Sequence, residues 1–446
     1  MSTTDDRVST GDPRPTGAPE PGTGTPARRL WPRVLAAVVG LVLLLGAGLV
    51  VGVAWYFSGL ALAVDRAGSP PVSVTAGADG AGGDGAADGA AADGAAGGGA
   101  AGGATVVLPD SPGMAVGGLH GIRWQRGQES GWGVTGDVLS REGGRVVREW
   151  EDREGVLPDA GATGQIDQDV YLGDPGTVGM AFEEVVLAGE LGELRAYRVP
   201  APERPDASQA AAAGTWIVFA HGRGGQREEA NRYLPLWHEL GYEVLVPEYR
   251  NDVGAPQDPS GRYGLGGTEW RDLDTAVGYA LDNGAERVVL AGWSMGGAVQ
   301  LQLLAGSEHA DSVVGLVLDA PVVDWRDTFY EQGALAGLPP WVTALALRFV
   351  ELRGDLDLDD FDWPARSDLA EVVDVPVYLA HSTDDGFVPN GPSRAVADQL
   401  GEQVTPRFDG PGEHTREWNV DPEGYDADMR AWFAATFPPV PLPAAP

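Results

Sequence analysis

Ser294 stands in Gly292-Trp293-Ser294-Met295-Gly296-Gly297, where the apolar run Arg287 to Ala291 gives way to helical periodicity. A serine hydroxyl becomes a nucleophile when a base removes its proton. The Gly-x-Ser-x-Gly spacing raises it on a strand-to-helix turn too sharp for flanking Cβ atoms. In a chain with 66 glycines the pattern alone is weak, and a plain glycine-rich turn is the bland alternative. Its weight comes from the strand-turn-helix context. A serine on such an elbow needs a histidine base and an orienting acid, in the chain order Ser, Asp or Glu, His. His120, His221, His238, His309 and His381 precede or fall within the acid-bearing stretch. His414 lies beyond it, in Gly410-Pro411-Gly412-Glu413-His414, and is the expected base.

The acid should follow the preceding strand, where His381-Ser382-Thr383-Asp384-Asp385-Gly386 supplies two neighbours. Asp385 is preferred, Asp384 stays open, and Asp319, at the end of an earlier strand, is the outside alternative. Acyl transfer also needs N–H donors aimed at a developing oxyanion. His221-Gly222-Arg223-Gly224-Gly225 follows the apolar run Trp216 to Ala220 and is expected to supply the amide of Arg223, with Met295 supplying the second. His221 reads as a residue that orders this loop. Histidines are scattered, and the acidic run from Asp355 to Asp362 lacks the glycine and spacing of a calcium loop, so neither metal nor cofactor is expected.

These residues need a scaffold, and the pattern from Phe182 onward supplies one. Short β-rich runs alternate with helical stretches, which predicts a mainly parallel sheet covered on both faces. Eight strands are expected: 182–187 and 194–199 as a hairpin, then 216–220, 243–247, 287–291, 313–319, 375–380 and 405–408. Helices are expected over 227–240, 269–283, 295–305, 392–401 and 422–437. A cap over the site is placed at about 322–374. Within it Trp341, Leu345, Phe349 and Leu352 recur at helical spacing, so Trp341, Leu345 and Phe349 are candidate substrate-binding residues, with core packing as the competing reading.

Ahead of this domain the chain changes character three times. Residues 1–33, rich in Pro, Gly, Ser and Thr, read as a disordered cytoplasmic tail. Val34 to Val64 contains no charged residue in 31 positions, more than the roughly 20 that span a bilayer as a helix. Arg28, Arg29 and Arg33 precede it, which places the N-terminus in the cytoplasm and the rest outside the cell membrane. A signal peptide cleaved near Ala63 is the alternative. Residues 65–104, dominated by Gly, Ala and Asp, read as a flexible tether that lets the following domain stand clear of the headgroups. Residues 105–181 form a small β-rich segment of unassigned function, and 438–446 a Pro-rich tail.

Composition narrows the partners. With 30 basic and 65 acidic residues the net charge is -35, which repels phosphate backbones and argues against nucleic-acid binding. The chain has no cysteine, which excludes disulfides, thiolate metal sites and a cysteine nucleophile.

Taken together, His221-Gly222, Tyr249-Arg250, Glu269-Trp270-Arg271-Asp272, Ser294 in its elbow, Asp385 with Val388-Pro389, and His414 resemble the α/β-hydrolase superfamily over residues 182–437. The likeness is greatest to its serine-hydrolase branch with Bem46-like and serine-aminopeptidase-like members, here of a membrane-anchored bacterial type. The resemblance implies an α/β fold and a Ser294-His414-Asp385 triad but does not fix the substrate; a small or lipid-like acyl compound, esters foremost, is expected. An amidase or exopeptidase, or a catalytically silent binding domain, is the alternative. Two departures stand out: Ser382 where glycine is usual, and Arg223 beside the oxyanion donor, where its cation would either suit an anionic ester or pair with a surface acid.

Overall fold

The computed structural model describes residues 31–64, 72–77, 104–111, 113–167, 169–203, 212–408, 410 and 412–438. The tail before Trp31, most of the Gly/Ala-rich run and residues 439–446 lie outside the described residues. Helix α1 (Trp31–Leu62) carries the uncharged stretch and is long and apolar enough to cross a membrane. The chain divides after Gly52 into two compact units, the second running from Val53 and including the last turns of α1.

The second unit opens with a closed six-stranded barrel. Its strands are β1 (Val72–Ala76), β2 (Thr105–Pro109), β3 (His120–Arg126), β4 (Glu129–Glu142), β5 (Arg145–Glu154) and β6 (Ala162–Asp167), in the order β1-β2-β5-β4-β3-β6. Alternating apolar positions such as Val74, Val106, Leu108, Ile122, Trp124 and Val146 fill its core. Strand β1 was not expected, because it falls inside the stretch 65–104 read as a tether. It pairs antiparallel with both β2 and β6, and Gly77 N–H donates to Thr105 O across 2.7 Å. The Gly/Ala-rich run therefore leaves the barrel and returns to it. What separates Val64 from Val72 is seven residues, which reach at most about 25 Å. Composition concealed the strand because Val72-Ser73-Val74 is too short to show a period.

The eight expected strands all form, as one sheet: β7 (Glu183–Gly189), β8 (Gly192–Val199), β9 (Thr215–Ala220), β10 (Glu243–Pro247), β11 (Arg287–Trp293), β12 (Val313–Asp319), β13 (Val377–Ala380) and β14 (Val404–Arg407). Their order is β14-β13-β12-β11-β9-β10-β8-β7, parallel from β14 to β10 and antiparallel at the β7–β8 hairpin edge. The central strands are apolar on both faces because both are covered. Trp216, Val218 and Ala220 of β9 belong to the core on one side, Ile217 and Phe219 to that on the other.

The helices are α2 (Leu234–Glu239), α3 (Trp270–Asp282), α4 (Met295–Gly306), α5 (Trp325–Leu335), α6 (Pro340–Gly354), α7 (Leu369–Val372), α8 (Gly391–Leu400), α9 (Glu417–Val420) and α10 (Pro422–Thr436). Residues of α3, α4 and α8 pack on the first face, and those of α2 and α10 on the second. Helices α5 and α6 form the expected insertion between β12 and β13. The last turns of α1 join this insertion: Ala54, Ser58 and Leu62, spaced four apart, are buried, and Leu62 shares a core with Tyr263, Leu347 and Val350.

A chain shortened to begin at Thr105 lacks β1 and leaves β2 and β6 with open edges. It is expected to melt earlier or aggregate, compared by circular dichroism with one beginning at Pro71; equal melting would show that the barrel closes without β1.

Candidate active site

The site is built on the turn between β11 and α4. Ser294 has φ 54° and ψ -124°, a conformation costly for any side-chain-bearing residue and kept only where its surroundings impose it. Its N–H donates to Asp319 O (3.0 Å), and its carbonyl accepts from Gly297 N (3.1 Å) and Val322 N (3.0 Å). A Cβ at Gly292 would stand 2.4 Å from Ala220 O, and one at Gly296 2.2 Å from the same oxygen. Both glycines are thus required by close approach to β9, and the hydroxyl is left at the floor of a cavity.

His414, from the loop after β14, places Nε2 2.9 Å from Ser294 Oγ and Nδ1 2.8 Å from Asp385 Oδ2. Asp385 is fixed from the other side: Oδ1 accepts from the amides of Phe387 and Val388, both at 2.8 Å. Beneath it the fully buried His381 ring lies 3.2 Å from Asp385 Oδ2, while His381 Nδ1 accepts the Ser393 hydroxyl at 2.8 Å. Burial by itself would raise the Asp385 carboxyl. The facing His414, with hydrogen bonds from both imidazoles, instead holds it well below the usual carboxylate range.

Asp384 turns elsewhere. Its amide donates to Ser382 Oγ (3.0 Å) and its side chain borders the cavity. The serine in place of the usual glycine thus shapes the acid loop. Asp319 faces away from His414, buried against the hydroxyls of Tyr233 (3.2 Å) and Tyr425 (3.0 Å).

The loop after β9 is held from below by buried charges. Glu229 Oε2 accepts from Gly222 N (2.9 Å) and from Trp293 Nε1 (2.5 Å). His221 Nε2 lies 2.8 Å from Asp252 Oδ2, its Nδ1 lies 2.9 Å from Gly222 O, and its ring stacks on Tyr249 at 4.1 Å. A Cβ at Gly222 would come 3.3 Å from that of Ser294. The Gly222 amide is engaged by Glu229. Met295 opens α4, so its N–H has no partner within the helix. The Arg223 guanidinium does not project toward an anionic substrate group as its position in sequence suggested. It donates to Leu60 O (2.9 Å) and Ala63 O (2.7 Å) at the end of α1 and lies over the Tyr263 ring.

These groups line a cavity of about 1010 Å³. Trp325, Phe329, Val253, Phe387 and, from α1, Ala61 give it apolar lining; Arg123, Gln165 and Asp169 of the barrel side give it polar lining. Trp341, Leu345 and Phe349 are not among its lining residues, which corrects the expected roof. Helix α6 buries the stripe Val342, Ala346, Leu347 and Val350. The residues at 341, 345 and 349 therefore turn outward, Phe349 packs on Trp55, and α5 covers the site instead.

Three contributions were missed in sequence. Glu229 carries no local pattern that distinguishes it from the neighbouring Glu228. Asp252 gains its role only through its hydrogen bonds with His221 Nε2 and the Tyr249 amide, both at 2.8 Å. The segment carrying His414 is braced from two sides: Leu119, just before β3, and Asn419 exchange hydrogen bonds (2.6 and 2.7 Å), and Arg232, between β9 and α2, donates to Thr415 O (3.0 Å), next to His414. Among the described residues no group of three or more His, Asp or Glu converges as metal ligands do.

Residues 217–445 match the alpha/beta hydrolase family, just over half of the chain, and the chain belongs to that family. No curated protein matches the sequence. Similar solved structures include an esterase of Pyrococcus furiosus, 17% identical, covering 60% of this chain and 96% of its own, with a TM-score of 0.46. A serine hydrolase without a lid from Xanthomonas campestris is 16% identical, covering 58% of this chain and 97% of its own, at a TM-score of 0.41. A thermophilic esterase of Thermogutta terrifontis is 17% identical, covering 57% and 99% respectively, at 0.40.

The His221–Asp252 pair makes the loop after β9 sensitive to alkali. Burial would lower the imidazole, but Asp252 and then Glu229 push it up to about 9. Its stabilisation is whole below the unfolded value near 6.5 and is lost as pH rises through about 9. Thermal melting from pH 7 to 10 should show a decline that His221→Gln flattens; parallel curves would mean that His221 is neutral throughout.

Proposed function

We propose that this protein is a serine hydrolase that cleaves carboxylic esters or related acyl bonds through an acyl-enzyme, held at the outer face of the cell membrane by α1. The observation that carries the reading is the continuous hydrogen-bonded chain from Ser294 Oγ through His414 to Asp385 on a strained elbow. In this reading Ser294 Oγ attacks the substrate carbonyl carbon as its proton passes to His414 Nε2. Asp385 holds Nδ1–H and stabilises the imidazolium without taking the proton. The amides of Arg223 and Met295 receive the carbonyl oxygen as it gains charge. The tetrahedral intermediate expels the alcohol, which takes the proton from His414. A water, deprotonated in turn by His414, then releases the acid and restores Ser294.

The anchoring half of the proposal is supported by Arg28, Arg29 and Arg33 before the apolar helix. Retention of that helix is supported by the burial of Ala54, Ser58 and Leu62 within the second unit. Cleavage near Ala63 would strip these residues from the core and remove the Leu60 carbonyl that Arg223 binds.

Full-length protein in detergent micelles is expected to react with a fluorophosphonate probe and to hydrolyse p-nitrophenyl acetate. Ser294→Ala and His414→Ala should abolish labelling. Asp385→Asn, by upsetting the imidazole tautomer, should lower kcat roughly 10³- to 10⁴-fold, while Asp384→Asn stays near wild type. Folded wild-type protein that neither labels nor turns over would reject the proposal.

A further inference from the structure

Helix α6 exposes an apolar stripe that its own fold covers only in part. Trp341 is 59% and Leu352 74% exposed, with Leu345 and Phe349 half-buried between them. Single apolar residues on a surface are ordinary, but four along one helix face form a patch that marks a contact. The stripe runs into α1. Phe349 meets Trp55 edge to face at 5.3 Å, and Arg353 donates to Trp55 O and Ser58 Oγ, both at 2.7 Å.

The length of α1 sets the depth of that contact. About 20 residues span the hydrocarbon core, so an apolar run starting at Val34 has crossed by about Val53. Residues 54–62 then rise through the next ~13 Å at 1.5 Å per residue, the depth of the headgroup layer and just above it. These are the turns on which α6 packs. Trp55 and Tyr56, exposed on the same turns, suit that layer as well. Ala61, one turn further on, already lines the cavity that holds Ser294.

We infer that the outer face of α6 lies in the headgroup layer of the membrane that α1 crosses, and that the cavity takes from this layer an amphiphilic ester. Its acyl chain lies along the apolar lining from α5 and the end of α1, and its polar head along the barrel residues Arg123, Gln165 and Asp169. The substrate half of the inference rests on the hydrolytic reading above; the docking half does not.

The chain has no cysteine, so Trp341→Cys, Leu352→Cys and Val156→Cys each introduce a unique thiol. Val156, exposed in the loop after β5, serves as the reference. Spin-labelled full-length protein in phosphatidylcholine nanodiscs is examined for collision with oxygen, which concentrates in the bilayer, and with a water-soluble nickel chelate. Labels at 341 and 352 should favour oxygen and the label at 156 the chelate. Labels at 341 and 352 as open to the chelate as that at 156 would overturn the inference. Shielding from both reagents would do so too, by assigning the face to a second protein copy.

The substrate half is read in the same nanodiscs with Trp341→Glu/Leu352→Glu. Hydrolysis of bilayer-embedded p-nitrophenyl palmitate should fall about tenfold, against less than about twofold for soluble p-nitrophenyl acetate. An unchanged ratio between the two esters overturns this half. Wild-type protein inert to both esters and to fluorophosphonate would instead refute the hydrolytic reading, and the spin-label result would still decide the docking.

Discussion

The backbone at Ser294 is the constraint on which the rest depends. A side chain at φ 54° persists only because the amide is tied to Asp319 and the carbonyl to Gly297 and Val322. Those ties need β12 in register beside β11, and they need Gly292 and Gly296 to let the turn lie against Ala220. The sheet thus acts as a clamp on one residue. The strain is stored where chemistry needs a hydroxyl standing free of its own helix, and it is offset by the buried strands beneath.

Around that point the protein spends polar groups freely in its interior. Glu229, Asp252, His221, His381 and Asp319 are all buried, and each fixes a backbone segment or a ring near the site. Such groups are costly unless satisfied, so each also acts as a check on assembly: the loop after β9 closes only when Glu229 meets Gly222, and the loop after β13 only when His381 meets Asp385. The barrel extends the same logic over a longer distance. Through Leu119 and Asn419 it sets the backbone that carries His414, which gives the segment before the hydrolase domain a mechanical place in the site.

The parts legible in the sequence share a local cause. Each of the eight sheet strands was signalled by a run of apolar residues bounded by turns, and Ser294, Asp385 and His414 sit at fixed places relative to those strands. What escaped was contact between distant segments. Nothing near Glu229 says that it lies under Gly222, and nothing in Val72-Ser73-Val74 says that its partners come after a Gly/Ala-rich run. The α6 stripe was visible as a periodicity, but a period tells only that one face is apolar and not what the face meets. Here the opposite stripe took the core, so the residues read as a pocket roof turned outward.

The pairing of β1 with β2 and β6 bears on how this protein is made. The strand that closes the barrel is the first to follow the helix, while its second partner, β6, ends at Asp167. Closure must therefore wait until some ninety residues more have been synthesised, with β1 kept within about 25 Å of Val64, just after α1, by the seven residues between them. Loop closure is insensitive to length, each doubling costing only about 0.6 kcal/mol, so the chain between β1 and β2 can lengthen or shorten across generations with little effect on stability.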